Sequence, residues 1–340
     1  MAPRQVTIAD IARRAGVSTS AVSYALNDLP GVSEPTRRRI LAIADSLGWR
    51  PNSSARALHF SRTDAVGLVL LQSQQPPTTT PEFLTYFLPG LQTELAEHDV
   101  LLALHLVEDA AAATEVYRNW RRSRRIDGAI VINPTVADPR LPCLEELHLP
   151  AVVVGDSRRV SSLPSVWTDD ARAVGLAVDH LTGLGHRRIA RIGMRADYLH
   201  TRVRGRAFDR CMREAGLAAP FTGCTSSRTS DIDLLTRWLQ EPEPPTALIH
   251  EDPQGAVKTL VTLREHGISV PGDMSIVSWD DSQWSSAVSP TLTTLRRDLF
   301  GYGRLVAAQL LHALAGEPVG HLQGSTAELL VRESTGAAPG

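Results

Sequence analysis

Apolar positions in the first 48 residues recur at helical spacing. Ile8, Ile11, Ala12 and Ala15 share one face of a helix that Thr7 and Asp10 open as a capping box and Gly16 ends. Ser18 then caps a second helix, which turns Val22, Ala25 and Leu26 inward and leaves Thr19, Ser20, Ser23 and Tyr24 largely outward. Only Gly16 and Val17 separate these helices, the tight joint of a helix-turn-helix. Ser33 caps a third helix with Pro35 in its first turn, an Arg37, Arg38, Arg39 run, a stripe of Ile40, Ile43, Ala44 and Leu47, and Gly48 as its stop.

From Ala65 onward, short apolar runs alternate with amphipathic stretches. Residues 65–71, 100–107, 126–133, 151–155, 188–193, 246–250 and 274–279 read as buried parallel strands. Helical patterns fall near 82–98, 110–123, 141–147, 171–184, 202–215 and 254–266. This β-α repetition implies doubly wound sheets, and about 270 residues of it make two lobes rather than one. Ligands of such sheets bind beyond the carboxyl ends of the strands, here in the cleft between the lobes. The expected fold is an all-α helix-turn-helix head with a hinge helix, joined to an α/β body of two doubly wound lobes.

Composition narrows the function. The 340 residues are 43% hydrophobic and 21% charged, which excludes disordered, collagen-like and coiled-coil chains. With no run of 18 apolar residues and no apolar stretch at the start, neither a membrane span nor a signal peptide is expected, and the expected location is the cytoplasm. Cys143, Cys211 and Cys224 fit neither a disulfide framework nor C-x-x-C metal spacing, so no metal or other cofactor is expected. Charge is uneven: residues 1–62 hold nine arginines and four acids, a net of +5, against −7 for the rest. A basic head on an acidic body points to a polyanion as the head's partner. Lys258, the only lysine, carries no functional weight.

Catalysis is disfavoured. The chain has no G-x-G-x-x-G, P-loop, G-x-S-x-G or H-E-x-x-H, and its eleven histidines are scattered. His180 and His186 read as helix-end and turn residues. The Asp169, Asp170 and Asp280, Asp281 pairs abut helix starts or turns, where acids are ordinary.

The stretches VTIADIARRAGVSTSAVSYALN from Val6 and VSEPTRRRILAIADSLGWRPNSSARAL from Val32 to Leu58 closely resemble the head of the LacI/GalR (lac repressor) family of bacterial transcription regulators. The resemblance implies that Thr19 and Ser20 choose operator bases, with Thr7, Ser18, Ser23, Tyr24 and Asn27 among the DNA contacts. Tyr24 departs from the arginine often found there, and one hydroxyl cannot make arginine's bidentate contact to guanine. Residues 50–58 resemble the family's hinge. Asn52 can cap a helix of about two turns, too short to be stable alone, so it should fold only against DNA and a partner subunit. Asn52, Ala55 and Arg56 are then hinge contacts, and Leu58 is the wedge that opens the central base step.

The same resemblance runs through LGHRRIARIG from Leu184, PTALIHED from Pro245, VPGDMSIVSWDD from Val270 and SPTLTTLRRDLFGYGRLVAAQLL from Ser289. It implies a body similar to periplasmic sugar-binding proteins, with the chain crossing between lobes near 163, 291 and 323. The expected domains are a helix-turn-helix at 1–49, a hinge at 50–62, one lobe at 63–163 with 291–323, and another at 164–290 with 324–335. Matching positions imply effector contacts at Phe83, Asp156, Arg204 and Asp280, a set that suits a polyol: acceptors and donors for hydroxyls, and an aromatic face for a sugar ring. Three positions depart from the family. Glu251 replaces a common asparagine, Pro81 and Glu82 replace the usual Asn-Pro, and Arg297 replaces a frequent glutamine. Arg297 either favours an anionic effector such as a sugar phosphate or pairs with Glu251 across the cleft.

The resulting expectation is a cytoplasmic regulator, nucleoid-bound when on DNA and most simply a repressor. It binds a pseudo-palindromic operator in double-stranded DNA as a homodimer and senses a sugar, sugar phosphate or related polar metabolite. No heptad tail follows Arg332, which makes a dimer the default. The alternative is a cytoplasmic sugar-binding or sugar-processing protein with an accessory DNA-binding head.

Overall fold

The computed structural model describes residues 6–26, 29–49, 63–71, 82–219, 221–226 and 229–340, in two compact units, Met1–Thr63 and Asp64–Gly340. The hinge expected at 50–62 lies outside the described residues, as do Asn27, Asn52, Ala55, Arg56 and Leu58.

The first unit holds α1 (Ile8–Ala15), α2 (Thr19–Leu26) and α3 (Glu34–Ser46). Both halves of the capping box form, Asp10 N–H donating to Thr7 Oγ1 at 3.3 Å and Thr7 N–H to Asp10 Oδ2 at 3.0 Å. Gly16 ends α1 at φ 64°, where a side chain would be strained. Ala21 N–H donates to Ser18 Oγ at 3.1 Å, the expected cap of α2. The cap expected from Ser33 is not made: its hydroxyl pairs with that of Thr36 at 2.9 Å. Pro35 occupies a position whose N–H would be one of the two natural donors to such a cap, and proline has none. Ile11, Ala12, Ala15, Val22, Ala25, Ile40 and Ala44 close a small core.

The second unit contains two six-stranded sheets with the same strand order. One runs β2 (Leu101–Val107), β1 (Ala65–Leu71), β3 (Gly128–Val131), β4 (Ala151–Val154), β5 (Ser165–Trp167), β11 (His321–Gln323). The other runs β7 (Thr222–Cys224), β6 (Ile189–Gly193), β8 (Ala247–His250), β9 (Ser275–Trp279), β10 (Thr293–Arg296), β12 (Glu328–Leu330). All pairs are parallel except β10 with β12. Each sheet reverses its order beside its first strand, which opens a crevice at the carboxyl ends. Helices α4 (Glu82–Glu97), α5 (Ala110–Arg122), α6 (Arg140–Glu146) and α12 (Leu299–Ala315) belong to the first lobe. The second lobe has α7 (Asp170–Gly183), α8 (Leu199–Glu214), α9 (Asp231–Leu239), α10 (Pro253–Glu265) and α11 (Gln283–Ala287).

The chain changes lobes between β5 and α7, between β10 and α12, and between β11 and β12. These crossings, at 168–169, 297–298 and 324–327, lie a few residues beyond those expected near 163, 291 and 323. The reason is local: Val153 and Val154 pair with Ser165 and Val166, and Thr294 pairs with Ser278, so two short strands finish their sheets before the chain leaves.

The first lobe is closed by α12 lying against α4. They meet at glycines: a Cβ on Gly90 would stand 2.0 Å from the Phe300 carbonyl oxygen, and one on Gly303 would stand 2.2 Å from that of Phe87. Beside this contact Arg304 donates to Glu94 at 2.7 Å.

Candidate nucleic-acid interface and effector cleft

On the head, α2 turns Val22 and Ala25 into the core and leaves Thr19 and Ser20 exposed, Tyr24 44% exposed and Ser23 half-buried. Thr7 and Ser18 are exposed too, with their side chains engaged in the caps. The arginine run divides. Arg37 donates to the Leu29 carbonyl at 2.7 Å, tying the segment after α2 to α3, whereas Arg38 and Arg39 point to solvent.

At the carboxyl ends of the second sheet, charged side chains converge and are buried. Arg204, on α8, donates to Asp170 at 3.0 Å and to Glu251 at 3.4 Å, and its guanidinium lies 3.8 Å above the Trp279 ring. Glu251 also binds Arg191 of β6. Asp280 follows β9 at φ 56°, a strained conformation for a residue with a side chain. Its two oxygens accept from Arg297 at 2.7 and 2.8 Å. Thr168, at the first crossing, accepts from Arg297 at 3.2 Å and donates to Asp170 at 3.1 Å. Burial works against the Arg297 charge, but Asp280 and then Asp170 hold its pKa above the usual arginine value.

Three arginines (191, 204 and 297) thus face three acids (170, 251 and 280), and the set is neutral. The pairing of Arg297 with Glu251, one of the two sequence expectations, is not made: Arg297 turns to Asp280, and Glu251 to Arg191 and Arg204. Burying a charge in a low-dielectric site is tolerable only when it is paired, and here each member has an opposite partner.

Two expected contacts are engaged elsewhere. Phe83 stacks on Phe87 with centroids 4.8 Å apart and meets Tyr302 edge-on, at the margin of the first lobe's core. Asp156 accepts two hydrogen bonds from Arg158 at 2.8 Å, which lowers its pKa against the opposing effect of burial; Arg158 in turn covers Trp167 at 4.2 Å.

Sequence reasoning missed Arg191, Asp170, Trp279 and His200. Arg191 had a readable signal, a charge in the middle of the apolar run RIARIG. Asp170 was masked by its place at a helix start. His200 sits half-buried on the first turn of α8; burial, then Arg204, Arg297 and Arg191, push its pKa well below the ordinary histidine value and keep the imidazole neutral. Glu82 is also buried at the cleft, 6% exposed. His186 is structural, pairing with Thr246 and Ser275 at 2.9 Å each.

The lobes also touch away from the crossings. The segment after β3 meets the segment after β6 in a two-residue bridge, Thr135 to Tyr198. Val136 N–H donates to the Asp197 carbonyl at 3.0 Å, and Leu199 N–H to that of Pro134 at 2.9 Å. A fully buried Asp138 and Arg140 pair, 2.7 Å apart, braces the first of these segments.

Residues 7–52 match the family described as bacterial regulatory proteins, lacI family, and residues 178–335 match the periplasmic binding protein-like domain. The HTH-type transcriptional regulator AglR of Rhizobium meliloti is 30% identical over 347 aligned positions, covering 98% of this chain and 95% of the relative. The chain belongs to the LacI family. This LacI-family regulator has the fold of the lac repressor dimer solved on operator with an anti-inducer, at a TM-score of 0.84 and 22% identity over 98% of this chain and all of that one. The transcriptional regulator CelR, solved with cellobiose, is 25% identical at a TM-score of 0.71, covering 97% of this chain and all of the other. The relatives are DNA-binding transcription regulators and not enzymes. No described helix is long and apolar enough to cross a membrane.

Proposed function

We propose that this LacI-family regulator binds a pseudo-palindromic operator as a homodimer, acts as a repressor, and changes its operator affinity when a small polar effector, a sugar or sugar derivative, occupies the cleft. The observation that carries the DNA half is the exposed polar face of α2, Thr19, Ser20 and Tyr24, beside a core made by the opposite face. A recognition helix must offer such groups to base edges. Two-fold protein symmetry implies a two-fold site. Thr7, Ser18, Ser23 and Asn27, and the hinge residues Asn52, Ala55, Arg56 and Leu58, complete the proposed interface. For the effector, the cellobiose in CelR supports a sugar, with Arg204, Glu251, Asp280 and Arg297 as the polar wall and Phe83 and Asp156 at its margin.

Selection from random DNA tests the reading. The expected product is an inverted repeat with half-sites about one helical turn apart and a protected region of about 14 to 20 base pairs. Recovery of an unpaired half-site bound by monomers would contradict it. Arg38→Ala and Arg39→Ala should each flatten the dependence of log affinity on log salt by about one unit if they meet phosphates. Arg37→Ala should instead lower the melting temperature of the head, because its hydrogen bonds are internal.

A further inference from the structure

The effector-cleft reading leaves several buried polar atoms without a partner, Arg191 Nε, Thr201 Oγ1 and Trp279 Nε1 among them, and one of these atoms is a carboxylate oxygen. Glu82 stands where the family pattern has no acid, at the first turn of α4 in the first lobe, yet its electrostatic neighbours are in the second. Asp280 and Asp252 lie close enough to repel it, and the Gln283 backbone is near enough to favour its charge. It therefore spans the cleft. It is 6% exposed, and its Oε1 is buried without a hydrogen-bond partner. The neighbouring acids are engaged: Asp170 and Glu251 with Arg204, Asp280 with Arg297, and Asp252 as the cap of α10, accepting from Gly255 N–H at 2.9 Å.

A buried carboxylate oxygen left without a donor is costly, and such atoms in a native structure call for an explanation, commonly an absent ligand or water. None of the three arginines hydrogen-bonds to Glu82, and their charges are matched by Asp170, Glu251 and Asp280. The cleft therefore has no spare positive charge for an anion and one acidic acceptor still open. Burial raises the pKa of Glu82, opposed by the nearby Gln283 backbone and reinforced by Asp280 and Asp252.

We propose that Glu82 is a specificity-determining residue of the cleft, its free Oε1 accepting a hydrogen bond from a hydroxyl or ammonium group of the effector, which is a neutral or amino-substituted polyol and not a phosphate or an acid. This rests on the effector-cleft reading and narrows it. Arg297, the residue that suggested an anion from sequence, is neutralised by Asp280. A phosphate bound here would have to displace an acid from a buried pair and would meet Glu82 as a like charge.

The test uses the full chain and matched probes: a pentose, a hexose and a disaccharide, each as the neutral sugar, its amino derivative and its phosphate. Thermal shift finds the binders and calorimetry measures them for the wild type and Glu82→Gln. Glu82→Gln keeps the shape and removes an unpaired buried carboxyl, so the ligand-free variant should melt no lower than the wild type. Binding is expected among neutral or amino members, and Glu82→Gln should weaken it about ten- to a hundredfold, the range for a hydrogen bond to a charged group. A greater loss for an amino sugar than for its parent identifies ammonium as the donor; equal losses identify hydroxyl. A phosphate as the tight binder, or unchanged affinity in Glu82→Gln, overturns the inference and leaves the effector reading standing. No response to any probe overturns the effector reading, and the inference with it.

Discussion

Gly303→Ala is expected to destabilise the body by about 3 kcal/mol or more, the upper end of what overpacking costs. Helix propensity alone predicts the opposite sign, since alanine in a helix interior is favoured over glycine by about 1 kcal/mol. The reversal comes from what the new methyl group meets. Its Cβ would stand 2.2 Å from the Phe87 carbonyl oxygen and 2.7 Å from the Leu91 nitrogen, and neither backbone atom can rotate away as a side chain would. The helices must separate, which loosens Phe87, Leu91, Val306 and Leu310 in the core they share. Gly175→Ala is the control: within α7 its Cβ would meet only Cys211 Sγ, at an ordinary 3.9 Å. Thermal melting should move down for Gly303→Ala and stay level or rise for Gly175→Ala. Equal shifts would mean that propensity, not the helix contact, sets the glycine's value.

Glu251→Gln should cost the body about 3 to 5 kcal/mol, the loss seen when one partner of a buried ion pair is removed. Glu251 binds both Arg191 and Arg204, and their side chains are 1%, 2% and 5% exposed. After the change Arg204 keeps the charge of Asp170, but Arg191 loses its counter-charge and retains only neutral acceptors, the new amide oxygen and the Thr201 carbonyl at 3.0 Å. The comparison is Arg296 with Glu328, 2.9 Å apart but 52% and 66% exposed. Water screens that pair, and Arg296→Ala should cost less than about 1 kcal/mol. Urea unfolding followed by the fluorescence of buried tryptophans such as Trp279 compares the two variants. A loss below 1 kcal/mol for Glu251→Gln would mean that water enters the network and the cleft is not dry.

Most strands that were legible in sequence are buried on both faces; the exception is β2, expected to be buried from its apolar run but lying at the sheet edge with Leu101, Leu104 and Leu106 exposed, because no further strand covers that edge among the described residues. Apolar runs such as AVGLVLL and AVVVG became β1 and β4, and the helices between such runs began and ended within a few residues of expectation. β5, β7, β10, β11 and β12 were not legible, because three or four residues such as Ser165–Trp167 or His321–Gln323 carry no period of their own and are ordered by the strands they join. α12 was visible only through resemblance. Its sequence is apolar almost all round because it is packed between α4 and the first sheet, so no amphipathic stripe marks it. In the cleft, residue types were legible but partners were not. Arg204, Asp280, Glu251 and Arg297 were singled out by position, yet who pairs with whom depends on Asp170 and Arg191, which come from a helix start and a strand interior far away in the chain.

The bridge between Pro134–Val136 and Asp197–Leu199 is written in peptide groups, so the letters along it are nearly free to vary. An alanine scan of those six positions would leave both of its hydrogen bonds in place. Proline would not. Leu199 is the first residue of α8, a position where a helix accepts proline because its N–H has no partner within the helix, and Tyr198 already has the extended backbone that proline demands of its predecessor. At that one site one of the two hydrogen bonds gripping the lobes can be removed without disturbing either lobe, which separates how tightly they close from how stably each is folded.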